Sequence, residues 1–500
     1  MMLLGTLGSY QAGYAQEAEV ELPPWARALS PAELQEDWDS LQQWILHTPV
    51  DPFAYQSHSQ WDSLVAGIDS QLTDSLDNVA FFQLVNPVLS QMGDVHTRIW
   101  VPRGFSHYVW NDGFFLPMVV EELSGKMYVM QSRGGVIPPG SLLLEVNGVS
   151  GDSIREMLHR HAYTDGRIHS TRNVLLEESF YAQLPMVLDI DTLNEVKVQL
   201  PQMDEDSLIE VKGERLNIPT AKIARKKRKE AKVPYDHICH LDYVSGDSVA
   251  MMTIGSFSEG SLGKYRRFLK KSFKELAETG TTHLIIDLRD NRGGYLERGP
   301  MLYQYMTDSS FKYIDASIVR ASRLFKNRIQ YILKFPDLAI SLFGGQIGKE
   351  YISGWKTPTG QYDTLYHDWV EPIKPKRQFS GKVYLLANGG SISNSSLFAH
   401  CFVANGRGPL IGEPVGGTVN GTFGNSIYFQ LPNSRITGQL STIRVNLRTG
   451  DFNYEPLSLD PDHIVEDKLD DLISGKDTQL QYILEQLIGI SALPDSTMEN

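Results

Sequence analysis

The stretch Val383-Tyr-Leu-Leu-Ala-Asn-Gly-Gly-Ser-Ile-Ser-Asn-Ser-Ser-Leu-Phe-Ala399 limits what this chain can fold into more than any other. An apolar run ends in two glycines and reopens at Asn394 as a helical pattern reaching Phe402, which is the signature of a buried strand, a tight corner and a helix. Ser393 stands at that corner, beside the free N–H groups of a helix start. Serines at such a place also serve as caps and turn formers, and the local sequence by itself favours that reading. The partners available elsewhere in the chain have to decide.

With 500 residues, of which 41% are hydrophobic and 10% aromatic, the chain can fill a core in each of about two to four domains and is not disordered. A net charge of −14 disfavours general nucleic-acid binding, because phosphates would be repelled outside a local basic patch. One such patch, Lys222 to Lys232, reads as a solvated connection marking a domain boundary. Cys239 and Cys401 fit neither a disulfide framework nor a Cys-x-x-Cys metal or redox pattern. The first sixteen residues, ending Ala12-Gly-Tyr-Ala15 before Gln16, are similar to the end of a secretory signal without its basic start, so export to a periplasm or the exterior is expected. No run approaches the ~18 apolar residues of a membrane span.

In order, the chain reads as a leader and linker (1–29) and a helical N-terminal domain (30–110). Its first helix carries Leu34, Trp38, Leu41 and Ile45 at helical spacing behind Ser30, and Gly93-Asp-Val-His-Thr97 follows the third. Residues 111–212 alternate strands with Pro-Gly and Asn-Gly turns and hold one helix, a pattern that looks like a PDZ-type domain. A polar and basic linker (213–245) leads to an α/β region (246–490) and a tail (491–500). The α/β region opens with a strand at Val249–Ile254, an amphipathic helix at 261–278 and a buried strand at His283–Asp287, a βαβ unit. That last strand opens into Asp287-Leu-Arg-Asp-Asn-Arg-Gly-Gly294 at the sheet edge where open α/β folds place ligands. Helical and loop material is expected from there to about residue 380, with 343–376 as a strap over the site.

Four segments then stand in order around the insert: Gly93 to Thr97, Asp287 to Gly294, Asn388 to Glu413 and Tyr454 to Asp462. In this order the chain resembles the C-terminal processing (tail-specific) proteases and tricorn-core serine peptidases, from about residue 30 to 490. The resemblance implies an α/β fold with a crotonase-like ββα-type core, a helical N-terminal domain and a PDZ-like insert. In the tail-specific branch a lysine after the Gly-Glu-x-x-x-Gly stretch activates the serine. Here Thr418 follows Gly412-Glu-Pro-Val-Gly-Gly417, so the match moves to the tricorn-like branch, with Ser393 as nucleophile, His96 as general base and acid, and Glu455 as the orienting carboxylate.

The chemistry requires these residue types. A serine hydroxyl attacks only when a base takes its proton, and an imidazole can do so at neutral pH and return it to the leaving amine. The imidazolium then needs a carboxylate to hold its tautomer. Asp451, Asp460 and Asp462 stand near Glu455 as rivals, and Ser391 is the alternative to Ser393. By family match the N–H groups of Asn394 and of Gly293 or Gly294 would form the oxyanion hole. Gly113, Phe114, Phe115 and Leu116 would form the loop that receives a peptide's C terminus, unless the insert only packs beside the site. The expected activity is endopeptidase hydrolysis of protein or peptide substrates through an acyl-enzyme, with no metal or cofactor. A non-catalytic peptide- or ligand-binding relative is the competing reading.

Overall fold

The computed structural model describes residues 27–102, 113–215, 235–330, 337–447 and 458–490, with backbone alone at 337–344 and 375. Residues 1–26 of the leader and linker, the whole basic run Lys222 to Lys232, and Asp451 and Glu455 lie outside the described residues. Among the described residues no helix is long and apolar enough to cross a membrane.

Three helices open the chain: α1 (Pro31–His47), α2 (His58–Asp69) and α3 (Asn78–Ser90). Ser30 and Glu33 form a reciprocal capping box around Pro31, and Ser57 does the same with Gln60. The inward face of α1, Leu34, Trp38, Leu41 and Ile45, is wholly buried. That core is not closed by the helices alone. Phe429, Leu431, Ile436 and Leu440, from far along the chain, belong to the same cluster. The buried Asp37 carboxylate also accepts from the N–H groups of Asn433 and Ser434, both at 2.8 Å. The short strand β1 (Arg98–Ile99) then pairs with this distant hairpin.

The insert comprises β2 (Met118–Leu123), β3 (Lys126–Ser132), β4 (Ser141–Val146), β5 (Val149–Ser150), α4 (Gly151–His161), α5 (His169–Gln183), β6 (Leu193–Gln199) and β7 (Asp206–Lys212). Its sheet runs β2-β3-β4-β6-β7, with β5 beside β4.

The α/β half begins with β8 (Cys239–Ser245), β9 (Val249–Ile254), α6 (Leu262–Thr279) and β10 (His283–Asp287). Ser261 caps α6, and Gly280, at φ 72°, ends it in the left-handed conformation. After α7 (Arg298–Tyr303) come β11 (Ala316–Arg320), α8 (Arg323–Ile329), α9 (Asp337–Lys356), β12 (Tyr362–Tyr366), β13 (Lys382–Ala387) and α10 (Asn394–Ala404). The rest is β14 (Leu410–Gly412), β15 (Gly421–Gly424), β16 (Ile427–Gln430), β17 (Thr437–Leu440), β18 (Ile443–Asn446), β19 (His463–Ile464), α11 (Leu469–Ser474) and α12 (Thr478–Tyr482). The main sheet, β19-β14-β13-β10-β9-β8, is parallel except at β8. A second sheet runs β12-β11-β18-β15, and a third β1-β17-β16.

Three expectations differ from this. Residues 239–245 are not linker but an edge strand, in which Cys239, Leu241 and Tyr243 alternate with polar residues, a half-buried pattern. The excursion 343–376, within the stretch expected to be helix and loop, holds the rest of α9 and also the edge strand β12, which pairs with β11. The region expected to be helix and loop up to residue 380 holds β11, whose inner partner β18 lies more than a hundred residues later.

Candidate active site

The parallel strands β10 and β13 are neighbours in register, Asp287 opposite Leu386, so the two polar turns that follow them emerge side by side. Their cross-links are dense. The Ile392 N–H donates to the Asn291 carbonyl at 3.1 Å, and the Asp290 N–H to Asn388 Oδ1 at 3.0 Å. A Cβ on Gly293 would stand 2.8 Å from Ser393 Cβ and 2.7 Å from the Ile392 carbonyl oxygen, at φ +82°. Gly294, at φ +139°, lies where a Cβ would strike Phe257 and Ser258 backbone at 2.3 and 2.4 Å. Only glycine fits either place.

Ser393 itself has φ 57° and ψ −121°, a conformation costly for a residue with a side chain, on the order of 1–3 kcal/mol. Its neighbours differ in kind. Ser391 is wholly buried and its Oγ donates to the Leu288 carbonyl at 2.8 Å. Ser396 Oγ donates to the Ser393 carbonyl at 2.7 Å, and Ser395 is buried. Of the four serines only Ser393 is partly exposed. Asn394 is clamped behind it: its Oδ1 accepts from Tyr313 Oη at 2.7 Å and its Nδ2 donates to the Tyr295 carbonyl at 2.8 Å. These bonds fix the peptide whose N–H follows the serine. The Gly293 N–H, in contrast, donates to Asn291 Oδ1 at 2.9 Å.

His96 lies on the turn after α3. Its carbonyl accepts from Ser426 Oγ and Gln439 Nε2, both at 3.0 Å, and its N–H donates to Asp94 Oδ1 at 2.8 Å. Asp94, buried, also accepts from Thr97 and Ser441 hydroxyls, at 2.6 and 2.5 Å. The imidazole is about a quarter exposed, and Nδ1 lies 3.8 Å from Asp94 Oδ1, without a hydrogen-bond partner among the described residues. Burial lowers the His96 pKa, opposed by Asp94 and reinforced by Arg98. Sequence reasoning passed over the carboxylates behind this histidine. Asp165 accepts from the Val95 N–H and the Thr422 hydroxyl, and burial beside Asp94 pushes it up to about 7. Asp94, His96 and Asp165 each offer a ligand atom within 4.8 Å of the others, a spacing open to a metal ion. The protein's own donors already fill both carboxylates, which makes them scaffolding for the histidine loop.

Thr418, where a lysine base would stand, is buried, donates to the Gly421 carbonyl at 2.7 Å and accepts from Tyr55 Oη at 3.1 Å. The rivals to Glu455 have other work. Asp462 accepts from the Leu410 N–H at 2.8 Å and anchors β14, while Asp460 is exposed and accepts from Ser458 at 3.0 Å. Arg289 bridges Asp287 and Asp477, at 2.8 and 2.7 Å, and stiffens the loop.

In the insert, Phe115 exchanges both backbone bonds with Glu214, at 2.8 and 2.9 Å, and Phe115 and Leu116 are buried. Gly113 and Phe114 are partly exposed, with Arg215 4.7 Å over the Phe114 ring. On the edge strand β2, the Glu122 N–H is taken by Glu177 of α5 at 3.0 Å.

No curated protein matches the chain. The solved structure of mature CPAF is 15% identical, with a TM-score of 0.62 over 88% of this chain and 94% of that one. CPAF complexed with lactacystin gives 15% and 0.62 over 89% and 96%. A mutant of CPAF gives 14% and 0.64 over 89% and 95%. At such identity the likeness establishes the fold. Residues 248–463, which span β10, β13, α10 and both turns of the site, match the model of Peptidase family S41. Over those residues, a little under half of its length, this chain is similar to Peptidase family S41.

Proposed function

We propose that this protein is an exported serine-type endopeptidase of the Ser/His kind, with Ser393 as nucleophile, His96 as general base and acid, and Glu455 as the carboxylate that orients the imidazole. The observation that carries this is the backbone of Ser393. A residue held at φ 57° and ψ −121° on a strand-to-helix corner, partly exposed while its serine neighbours are buried, is strained for a purpose that capping a helix does not require.

In the proposed reaction His96 Nε2 accepts the Ser393 proton as Oγ attacks the scissile carbonyl. The tetrahedral oxyanion is met by the N–H groups of Asn394 and Gly294; the Gly293 N–H would first have to leave Asn291 Oδ1. Each such donor contributes about 10²–10³ in rate. The imidazolium then gives its proton to the leaving amine, and water repeats the sequence on the acyl-enzyme. A histidine whose pKa is lowered by burial is neutral, and so competent as a base, throughout the neutral range. The insert is read as a PDZ-like unit that packs beside the site, because Phe115 already pairs with Glu214 and the Glu177 side chain of α5 takes the Glu122 N–H on the β2 edge.

The test is labelling of the full chain with a fluorophosphonate probe. Labelling of wild type that disappears in Ser393→Ala, with the circular dichroism unchanged, is the expected result. Unlabelled but well-folded wild type would leave the non-catalytic binding relative, and labelling that persists in Ser393→Ala but not in Ser391→Ala would move the nucleophile by two residues.

A further inference from the structure

The chain carries a net charge of −14, yet helix α6 turns a basic ridge to solvent. It buries Tyr265, Leu269, Phe273 and Leu276 in the core under the main sheet, and its outward side holds Lys264, Arg266, Arg267, Lys270, Lys271 and Lys274, all exposed. At about 100° per residue these six fall on one side of the helix, with Arg266, Lys270 and Lys274 in a row about 12 Å long. The helix has two acids: Glu275, which is half-buried, and Glu278, which pairs with Lys274 at 3.2 Å.

A second basic stretch lies alongside. Phe273 of α6 stacks on Tyr305, with ring centroids 4.4 Å apart. The Tyr305 carbonyl accepts from the Phe379 N–H at 2.7 Å, and the Gln304 carbonyl from the Ile373 N–H at 3.3 Å. Between these two anchors Lys374, Lys376 and Arg377 are exposed, and this segment packs on α6. Among the described residues, Lys274 alone of these cations has an ion-pair partner. Like charges one turn apart weaken a helix, and an anionic partner offsets that repulsion.

The shape of the face selects the partner. Neither stretch exposes a large apolar or aromatic side chain, so it offers no platform for stacking bases and no apolar centre for a protein interface. A nucleic-acid duplex is a long polyanion, and past the row of about 12 Å it would run onto the acidic remainder of the protein and be repelled. A bilayer touches an outward helix face locally and leaves the rest of the molecule beyond a screening length of about 8 Å. Clusters of Lys and Arg on a helix are what anionic headgroups hold.

We propose that α6 and residues 374–377 form a docking surface for an anionic phospholipid bilayer, which the protein touches without inserting. This surface is independent of the peptidase reading.

The test sediments the full chain with vesicles of phosphatidylcholine alone and with vesicles containing about 30% phosphatidylglycerol. Binding to the mixed vesicles is expected to exceed binding to phosphatidylcholine by about tenfold or more, and to collapse at about 0.5 M salt. Arg267→Gln, Lys270→Gln and Lys271→Gln combined should weaken it by about 100-fold, at about fivefold for each charge. Arg266→Lys with Arg267→Lys keeps the charge and should bind as wild type does. All these side chains are exposed, so circular dichroism should not change. Neutralising the Lys222–Lys232 run instead should leave binding as it is. Equal binding to both vesicles, a triple Gln variant that binds like wild type, or binding lost only with the Lys222–Lys232 change overturns the surface. A DNA duplex that displaces the vesicles at equal phosphate concentration also overturns it, and makes nucleic acid the partner.

Discussion

Replacing His96 with alanine is expected to lower kcat for any cleaved peptide by about 10³-fold or more, and to abolish fluorophosphonate labelling of Ser393. The magnitude follows from how nucleophile and base act as one unit, so that losing either removes nearly all of the covalent catalysis. The substitution should leave the fold intact. The backbone bonds of residue 96, to Asp94, Ser426 and Gln439, do not need the ring. In wild type, kcat/KM should fall on the acid side with a midpoint below the ordinary histidine value of 6.5, because burial favours the neutral imidazole. A His96→Ala protein retaining hydrolysis within about tenfold of wild type would remove His96 from the mechanism.

Much of this site was legible because its signals are local. Two glycines and a serine between an apolar strand and a helix specify a corner whatever packs around it, and β10 with its polar turn reads as a strand end at a sheet edge. The strand-and-turn pattern of the insert was legible for the same reason, through its Pro-Gly and Asn-Gly turns at Gly140 and Gly148. What was not legible depends on pairing across long sequence separations. The N-terminal helices complete their core with Phe429 and Ile436, and β11 is a strand only because β18 lies beside it. Asp94 and Asp165 reveal their relation only when Gly166 bonds back to Gly93 and brings the two loops together.

The second large effect concerns stability against pH, and its centre lies between the insert and the α/β half. A cavity of about 270 Å³ is lined there by Glu121, Glu177, Asp290, Glu413 and Asp467. Burial, then the charges of Asp467, Glu466, Asp290 and Glu121, push Glu413 up to about 7. Burial and Glu121 raise Glu177 well above its ordinary value. Because these carboxyls hold protons in the folded state that the unfolded chain releases near 4.5, their stabilisation is full below about pH 4.5, declines from there toward 7 and is lost above it. For Glu413 alone the loss between about pH 5 and pH 8 is on the order of 2–3 kcal/mol. Asp165 and Glu350, also pushed up to about 7, add losses of the same sign elsewhere. Glu413→Gln, which stays neutral, should therefore keep the insert docked at about pH 8, where wild type loosens. Hydrogen exchange across β2, corrected for the intrinsic rate at each pH, reads this directly, since the Glu122 N–H is held by Glu177. Wild type should lose protection there on going from acid to mildly basic pH, and Glu413→Gln should lose markedly less. Equal pH dependence in the two proteins would mean that Glu413 is ionised at neutral pH and that the cavity holds compensating charge.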